Sequence, residues 1–393
     1  MKHGWEYKKL GDVCTIERGG SPRPITDYIT DSEDGINWIK IGDAQEGSKY
    51  ITSTKEKIRP EGIKKSRFVH KGDFILSNSM SFGRPYILKV DGCIHDGWLV
   101  IHDNNEVFIK DYLYYILASP IMYSKFSQLA VGGVVNNLNS SLVRKVTIPL
   151  PPKSTQLAIV SELDKINELI RLKKEQLKDF DNLAQSIFYE MFGDPVENEM
   201  GWEVKKLGDN VEEMFLGPFG SALKVDSYVP KEDSYCMVYE QKHAIKKSIN
   251  LENHYINKEK FDSLKRFCVM PGDFIMSCRG TIGKLYQIPP GAPMGIIHPS
   301  LMKIRLKQNG YDSTYFNFML VKIVAIESTN GNCVQMAITA KALSKKELPL
   351  PPLPLQHLFA QRIDQIEHQK AEVQKAITDL ETLLASRMQY WFE

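Results

Sequence analysis

The chain has 393 residues and a formal net charge of +2 at pH 7, with 42% hydrophobic and 25% charged residues. This composition is typical of a folded protein with two or three domains, and no apolar run approaches the ~18 residues of a membrane-spanning helix. The start, MKHGWEYKKL, lacks an apolar signal segment and the six cysteines lack metal-ligand spacing, so we expect a cytoplasmic protein without disulfides or a metal.

The first 147 residues predict a domain that mixes α and β structure. Short β-like runs, among them INWIKIG, DFILS and WLVIH, are separated by turn residues, and the stretch DYLYYILASPIMYSKF has a helical pattern. The proline cluster IPLPP follows at 148–152, where consecutive prolines impose an extended backbone. Ser154 and Thr155 then offer an N-cap for a helix. We expect a rigid joint between a globular domain and a long helix.

The second half of the chain repeats the first. WEYKKLGDV at Trp5–Val13 matches WEVKKLGDN at Trp202–Asn210, KGDFILS matches PGDFIMS, and IPLPP matches LPLPP, with an offset of 197 to 200 residues. The net charges of 1–150, 151–195, 196–350 and 351–393 are +3, −2, +3 and −2, so the charge pattern repeats as well. We therefore predict globular domains at 1–147 and 194–347, each followed by a proline joint and a long helix, at 148–193 and 348–393.

Both tails have apolar residues in the 3-4 spacing of a coiled coil. Such stripes often belong to helices that pack on their own domain, but two stripes in one frame favour helices that pair with each other. The fold class is then α+β: two mixed domains joined by two long antiparallel helices, related by a pseudo-two-fold axis. The residues predicted to pair the helices or to bind other subunits are Leu163, Ile166, Ile170, Leu177, Phe180, Ile363, Ile366, Val373, Ile377 and Leu380.

Signatures of common enzyme classes are absent from the sequence. It has no phosphate-binding GxxxxGK[ST] loop, no HExxH or GxSxG, and no Asn/Asp-Pro-Pro-Tyr/Phe typical of amino-methyltransferases. Two nuclease-like D…ExK patterns occur, one at Asp194, Glu203 and Lys205 and one at Asp226, Glu240 and Lys242. The first repeat lacks an acid upstream of its corresponding ExK, so we expect no catalytic site, and a nuclease remains a weak alternative.

Basic and small polar residues in the predicted loops favour DNA binding. Lysine and arginine can neutralise phosphates, and Arg, Asn and Ser can contact base edges where glycines allow close approach. The loops RGGSPRP and GPFGSALK hold equivalent places but differ in sequence, as do VGGVVNNLN at 131–139 and NGNCVQM at 330–336, which predicts different targets. The predicted DNA contacts are Arg18, Ser21, Arg23, Lys64, Lys65, Arg67, Asn78, Arg84, Ser221, Lys224, Lys265, Arg266, Arg279, Thr281 and Lys284.

This ordered and repeated set of motifs resembles the specificity subunit of type I restriction-modification systems. The motifs are W-E-x-K-K-L-G-D at Trp5 and Trp202, G-D-F-I-x-S at Gly72–Ser77 and Gly272–Ser277, and P-L-P-P-x-x-x-Q at Pro149–Gln156 and Pro349–Gln356. GPFGSALK and GTIGK in the second half are also similar to that family.

The resemblance implies two target-recognition domains, each specific for one half of a split DNA sequence. It implies that the long helices set the gap between the half-sites and bind two methyltransferase subunits, and that restriction subunits with translocase activity join the complex. S-adenosylmethionine, ATP and Mg²⁺ are then expected on the partner subunits, with no cofactor on this chain. A coiled-coil scaffold that binds protein or RNA remains an alternative, and sequence-specific binding to double-stranded DNA would distinguish the two.

Overall fold

The computed structural model describes residues 4–45, 47–78, 83–103, 106–130, 138–330 and 338–393. It divides into two compact units. Unit 1 comprises Met1–Lys174 together with Gln374–Glu393, and unit 2 comprises Glu175–Val373. Each unit therefore contains one globular part and segments of both long helices.

The elements of the first repeat are β1 (Glu6–Lys9), α1 (Leu10–Val13), β2 (Cys14–Arg18), β3 (Ile29–Thr30), β4 (Ile36–Ile39), β5 (Tyr50–Ile51), β6 (Glu56–Ile58), β7 (Arg67–Val69), β8 (Phe74–Ser77), β9 (Pro85–Leu88), β10 (Gly92–Ile94), β11 (Trp98–Asp103), α2 (Lys110–Ala118), α3 (Pro120–Ala130), α4 (Ser140–Arg144), β12 (Thr147–Leu150) and α5 (Lys153–Phe192).

The elements of the second repeat are β13 (Val204–Lys206), β14 (Val211–Leu216), β15 (Cys236–Tyr239), α6 (Gln241–Lys246), β16 (His254–Ile256), α7 (Lys258–Leu264), β17 (Cys268–Val269), β18 (Phe274–Ser277), β19 (Leu285–Gln287), β20 (Gly295–Ile297), β21 (Leu301–Leu306), α8 (Ser313–Asn330), α9 (Ala340–Ser344), β22 (Glu347–Pro349) and α10 (Leu353–Phe392).

The two globular parts have the same strand order. In unit 1 the sheets run β2-β11-β8-β9-β5 and β3-β6-β4-β10-β7, with a separate β1-β12 ribbon; in unit 2 they run β14-β21-β18-β19 and β16-β15-β20-β17, with a β13-β22 ribbon. β4 and β10 pair in parallel, as do β15 and β20, within otherwise largely antiparallel sheets. The two units thus share an α+β fold, and unit 1 adds the short strands β3 and β5.

The glycine of the repeated GDF motif has the same conformation in both units. Gly72 has φ +94° and Gly272 has φ +93°, a region that side chains with a Cβ rarely adopt. Each donates its N–H across the turn before the GDF strand, to the carbonyl of Leu88 and of Ile288, at 2.8 Å in both cases. The motif therefore fixes the turn that leads into β8 and β18.

The long helices pair within each unit, in an antiparallel sense. In unit 1, Glu162 accepts from Arg387, and Lys174 contacts Glu381 at 2.8 Å. The residue numbers therefore increase along α5 while those of the contacting residues on α10 decrease. In unit 2, Lys370 lies 2.8 Å from Asp181, and the Phe188 ring packs against Phe359. Each helix has 40 residues, or about 60 Å at about 1.5 Å per residue.

Helix α5 begins two residues earlier than an N-cap at Ser154 requires, and three earlier than one at Thr155 requires. The carbonyl of Pro152 accepts the N–H groups of Thr155 and Gln156 at 2.9 and 3.0 Å, and the helix begins at Lys153. Ser154 and Thr155 therefore lie inside the first turn, and the expected N-cap at these residues is wrong. A proline can take the position before the helix because only its carbonyl is needed there.

The motif glutamines fasten each helix to its globular part. Buried Gln156 accepts the Ile109 N–H at 2.8 Å and donates to the carbonyls of Val107 and Pro151, both at 3.0 Å. Gln356, also buried, accepts the Asp312 N–H at 2.8 Å and donates to a carbonyl of the second proline joint at 2.7 Å. Because these bonds join the proline segment, the helix start and the preceding loop, the joint is rigid in both units.

Among the helices in the described part of the chain, none combines the length and the apolar composition that crossing a membrane requires.

Candidate nucleic-acid interface

In each globular part, several loops meet at the ends of β2, β4, β8 and β10, or of their counterparts in unit 2. We define the unit 1 loop cluster as residues 18–24, 40–43, 78, 83–84 and 95–97. The unit 2 loop cluster comprises residues 217–224, 240–241, 278–284 and 298–300. These two clusters contain ten of the fifteen residues predicted to contact DNA.

A glycine anchors the first loop of each cluster. Gly19 donates to the Trp98 carbonyl at 2.9 Å, and Gly217 donates to the Leu301 carbonyl at 2.8 Å. A Cβ would lie 2.2 Å from a carbonyl oxygen at Gly19 and 2.3 Å from one at Gly217. Since only glycine fits there, RGGSPRP and GPFGSALK leave the fold at the same point before their sequences diverge.

Asp96 organises the unit 1 loop cluster. Its carboxylate accepts from the Ser21 hydroxyl at 2.8 Å and lies 3.6 Å from the Arg23 guanidinium, and its carbonyl accepts from Arg18 at 2.9 Å. Burial raises the pKa of Asp96, but the Ser21 hydrogen bond and the neighbouring His95 and Arg18 outweigh burial and lower the pKa overall. The carboxylate therefore stays ionised and orients polar side chains at the surface.

The hairpin after the GDF strand has the same hydrogen bonds in both units. The Ser77 carbonyl accepts from Gly83 at 2.7 Å, and the Ser77 hydroxyl accepts from the Arg84 N–H at 3.0 Å. In unit 2, Ser277 accepts in the same way from Gly283 at 2.8 Å and from Lys284 at 2.9 Å. The bend places an exposed cation, Arg84 or Lys284, at matching positions.

Gln241 supports the same hairpin in unit 2. Its amide donates to the carbonyls of Arg279 and Thr281 at 2.6 and 3.3 Å. The side chains of Arg279 and Thr281 remain exposed. The backbone bonds therefore hold the hairpin and leave both side chains available for a ligand.

The basic residues outside the clusters lie on neighbouring turns. Lys64 is exposed, Lys65 donates to the Tyr28 hydroxyl at 2.6 Å, and Arg67 donates to the Arg18 carbonyl at 2.8 Å. Lys265 and Arg266 border a cleft of about 610 Å³. A Cβ added to Gly20 would lie 3.1 Å from the Lys65 carbonyl oxygen. The turn that contains Lys64 and Lys65 therefore packs against the unit 1 loop cluster.

Asn78 does not match its predicted role. Its side chain is only 1% exposed and donates to the Asp96 carbonyl at 2.9 Å. From this buried place it supports the cluster and does not reach a base. The remaining two predicted contacts, Ser221 and Lys224, are exposed on the GPFGSALK loop, where the Phe219 ring is 86% exposed. The variable stretches 131–137 and 331–336 lie outside the described residues.

Comparison with known proteins connects this geometry with a family. The model of the type I restriction modification DNA specificity domain matches residues 2–179 and again residues 200–382. The chain belongs to this family. The two matches coincide with the two repeats, so each globular part with its following helix is one specificity domain.

Curated relatives are specificity subunits of type I restriction enzymes. The chain is 25% identical over 416 residues to the putative MjaX specificity subunit of Methanocaldococcus jannaschii, an alignment that covers 97% of this chain and 92% of that subunit. It is 28% identical over 224 residues to the MjaIX specificity subunit of the same organism, covering 52% and 51%. The first alignment spans both specificity domains.

A solved structure has the same overall fold. It is a chain from work on complex assembly and conformational transition of the type I R-M system, with a TM-score of 0.68, 20% identity and coverage of 99% of this chain and 97% of that one. At this identity the likeness concerns the fold alone. It agrees with the predicted arrangement of two mixed domains and long helices.

The helix residues predicted from spacing lie at the packed faces of the specificity domains. Leu163, Ile166, Ile170, Ile363, Ile366, Val373 and Ile377 are buried, and Leu177, Phe180 and Leu380 are half-buried. Leu163 also belongs to the core of unit 1, and Ile363 and Ile366 to the core of unit 2. These three residues therefore attach the helices to the globular parts as well as to each other.

The two D…ExK patterns do not form clusters of acids. Asp194 accepts the Val196 N–H at 2.8 Å within its own turn, and Glu203 pairs with Lys205 at 3.4 Å. Glu240 contacts Lys242 and His254. Across the ranges that the structure describes, no group of three or more His, Cys, Asp or Glu residues is arranged to hold a metal.

Proposed function

We propose that this chain is the DNA-binding specificity subunit of a type I restriction-modification complex and recognises a split, asymmetric sequence in double-stranded DNA. The observation that supports this best is the pair of specificity domains with one fold and different loop clusters. Anchors at Gly19 and Gly217 are shared, whereas Asp96 is replaced by Pro299 in unit 2. Two such domains give two different half-sites.

Partner subunits bind the long helices in this proposal. Two methyltransferase subunits dock there, and restriction subunits with translocase activity join them. Support comes from apolar side chains that the helices leave exposed in unit 1, including Leu169, Leu172 and Leu383. A groove of about 650 Å³ between α5 and α10 is lined in part by Leu383 and Ile166. Exposed apolar surface of this kind is typical of subunit contacts.

The chain itself supplies no catalytic group in this proposal and acts in the cytoplasm. A methyltransferase subunit that takes its target base out of the duplex needs the specificity subunit only for binding and orientation. S-adenosylmethionine, ATP and Mg²⁺ then bind to the partner subunits. The purified chain alone is expected neither to methylate nor to cut DNA when all three are supplied.

Methylome sequencing tests the proposal. The chain is expressed with the methyltransferase subunit of its own system in a host without DNA methylation, and we expect methylation at one split motif with two different halves. Exchanging residues 1–147 for those of another family member should change one half only. Methylation without a motif, changes in both halves, or binding to RNA in place of duplex DNA would contradict the proposal.

A further inference from the structure

At one shared position the two specificity domains carry side chains of opposite charge, each in contact with a side chain from the neighbouring strand. β4 ends at Ile39, whose carbonyl accepts the His95 N–H at 3.3 Å, and β15 ends at Tyr239, whose carbonyl accepts the His298 N–H at 2.8 Å. The next residue is Lys40 in unit 1 and Glu240 in unit 2. The backbone bonds make these two residues structural equivalents.

Their partners are equivalent as well. Lys40 Nζ contacts the Glu56 carboxylate, and Glu56 is on β6 opposite Trp38. Glu240 forms an ion pair with Lys242 at 2.7 Å and also accepts from His254 Nδ1 at 3.0 Å, and His254 is on β16, paired with Val238. Trp38 and Val238 each lie two residues before the inverted position, so the second member of the pair comes from the same place in the sheet.

A third contacting position is exchanged too. The backbone N–H of Lys40 donates to the Asp43 carboxylate at 2.8 Å, and the backbone N–H of Glu240 donates to His243 Nδ1 at 2.8 Å. The local hydrogen bond is kept while the acid becomes an imidazole. An incidental surface pair would not need three coordinated exchanges, so the charge at this position differs while its setting is preserved.

Each pair belongs to its loop cluster. The N–H that follows Lys40 in the chain, that of Ile41, donates to His95 Nε2 at 3.1 Å, next to Asp96. In unit 2, Gln241 follows Glu240 and holds the Arg279 backbone. The Lys40 side chain is 35% exposed and that of Glu240 is 17% exposed. Both are therefore partly accessible beside the residues predicted to contact DNA.

We infer that Lys40 and Glu240 are specificity-determining residues, each selecting one base in its half-site, an inference that rests on the proposed function. An ammonium group only donates hydrogen bonds, so Lys40 selects guanine through its O6 and N7 acceptors. An ionised carboxylate only accepts, so Glu240 selects a base with an exocyclic amino group in the major groove, cytosine above all. Glu56 and His254 orient the two side chains.

Inversion of each pair tests this inference. The variants are Lys40→Glu with Glu56→Lys, and Glu240→Lys with His254→Glu, each expressed with the methyltransferase subunit as above. The first should lose the guanine requirement at one position of one half-site, with methylation of the original motif reduced about 10-fold, which corresponds to about 1.4 kcal/mol, because a bidentate base contact is lost. The second should change one position of the other half-site.

The matched control inverts a pair on the edge ribbon of unit 1. Glu6 and Lys8 on β1 contact each other at 2.8 Å, and Glu6→Lys with Lys8→Glu should leave all letters of the motif unchanged. Circular dichroism shows whether an inverted pair disturbs folding. If it does, Lys40→Gln and Glu240→Gln test the inference in its place. Because glutamine both donates and accepts, Lys40→Gln should admit adenine where guanine was required.

Four outcomes separate failure of the inference from failure of the proposed function. Unchanged letters at wild-type methylation in the folded inverted and glutamine variants overturn the inference, and so do changes in both halves from one variant. If the wild-type complex methylates no split motif, the proposed function fails first. If the Glu6 and Lys8 control shifts the same letter, the effect is not specific to the position of Lys40 and the inference is overturned.

Discussion

The two globular parts share a fold but differ in the buried side chain at the centre of the equivalent strands β11 and β21. At the centre of β11 stands Val100, which is fully buried, and at the equivalent place in β21 stands Lys303, whose side chain is only 3% exposed. Lys303 contacts the Glu213 carboxylate, lies 3.4 Å from Asp273 and donates to a backbone carbonyl at 2.9 Å.

The difference extends along the strand. Arg305 binds both oxygens of Asp273, at 2.6 and 2.8 Å, and in unit 1 the corresponding His102 lies 3.7 Å from Asp73. One scaffold thus tolerates an apolar centre in one copy and a buried ionic network in the other. Strand pairing depends on backbone hydrogen bonds and on alternation of side chains, and both are preserved whichever residues fill the centre.

Removal of the buried cation should give the largest difference between the units. Lys303→Ala removes the main partner of the Glu213 carboxylate and one of the two cations beside Asp273, which keeps its bonds to Arg305. The cost should therefore be about 3 kcal/mol, the lower end of the range for a broken buried pair. Val100→Ala removes only two methyl groups and should cost about 2 kcal/mol. Hydrogen exchange read by mass spectrometry should show β21 and its neighbours losing protection in the first variant.

The same measurement shows whether the comparison holds. Peptides from β2, β8 and β11 should keep their protection in Lys303→Ala, because the network lies within unit 2. Equal losses in Lys303→Ala and Val100→Ala would mean that the ionic network contributes no more than the apolar filling does.

Loss of the glutamine at the proline joint should destabilise the two units in a similar way. Gln156→Ala and Gln356→Ala each leave a partly buried N–H and a buried carbonyl without this partner, at a cost of about 1–3 kcal/mol. Gln156 makes one more of these bonds than Gln356, so its loss should be the larger. Urea unfolding measures both; a neutral result at either position would show that water replaces the side chain.

The ion pairs between the long helices should stabilise the two units in different pH ranges. Their loss should have the smallest effects on the free energy of unfolding. The Arg387 hydrogen bond lowers the pKa of Glu162, despite partial burial, so this contact stabilises above the unfolded pKa of about 4.3 and is lost as pH falls. Burial lowers the pKa of Lys370, but hydrogen bonds to Asp181 and Glu367 raise it overall. That contact stabilises below about pH 10.4 and is lost at higher pH.

Glu162→Gln should therefore cost about 0.5 kcal/mol at pH 7, and the cost should shrink to nothing as the pH falls through the lowered pKa of Glu162. Lys370→Met should lower stability at pH 7 by a similar amount and match the wild type once the lysine is neutral. Urea unfolding at several pH values compares each variant with the wild type. A Glu162→Gln deficit that does not shrink at acidic pH would assign the effect to packing instead of charge.

The sequence predicted the features that depend on repetition and period. The offset between copies predicted two equal units, and the runs DFILS and DFIMS became the equivalent strands β8 and β18. The spacing of Leu163 and Ile166 predicted the packed face of α5, because a helix brings such residues to one side.

The loop clusters were harder to predict because they depend on contacts between distant segments. Asn78 was expected at the surface, but its amide turns inward to the carbonyl of Asp96, and nothing local in the sequence indicates this. The pairing of Lys40 with Glu56 depends on the register of β4 and β6. Lys303 had a usable signal in the sequence, because a lysine stands near the centre of the largely apolar run LMKIRL, two residues before Arg305 on the same face of the strand.

The division of the chain into units has a consequence for its synthesis. Unit 1 is completed by residues 374–393, where the Trp391 ring stacks on Trp5 and Phe392 packs in the core, whereas unit 2 is one continuous segment. A ribosome synthesises residues 175–373 before it synthesises the last helical segment of unit 1. The domain that is translated first is therefore the last to acquire its full core, and until then its apolar surface is exposed to chaperones and proteases.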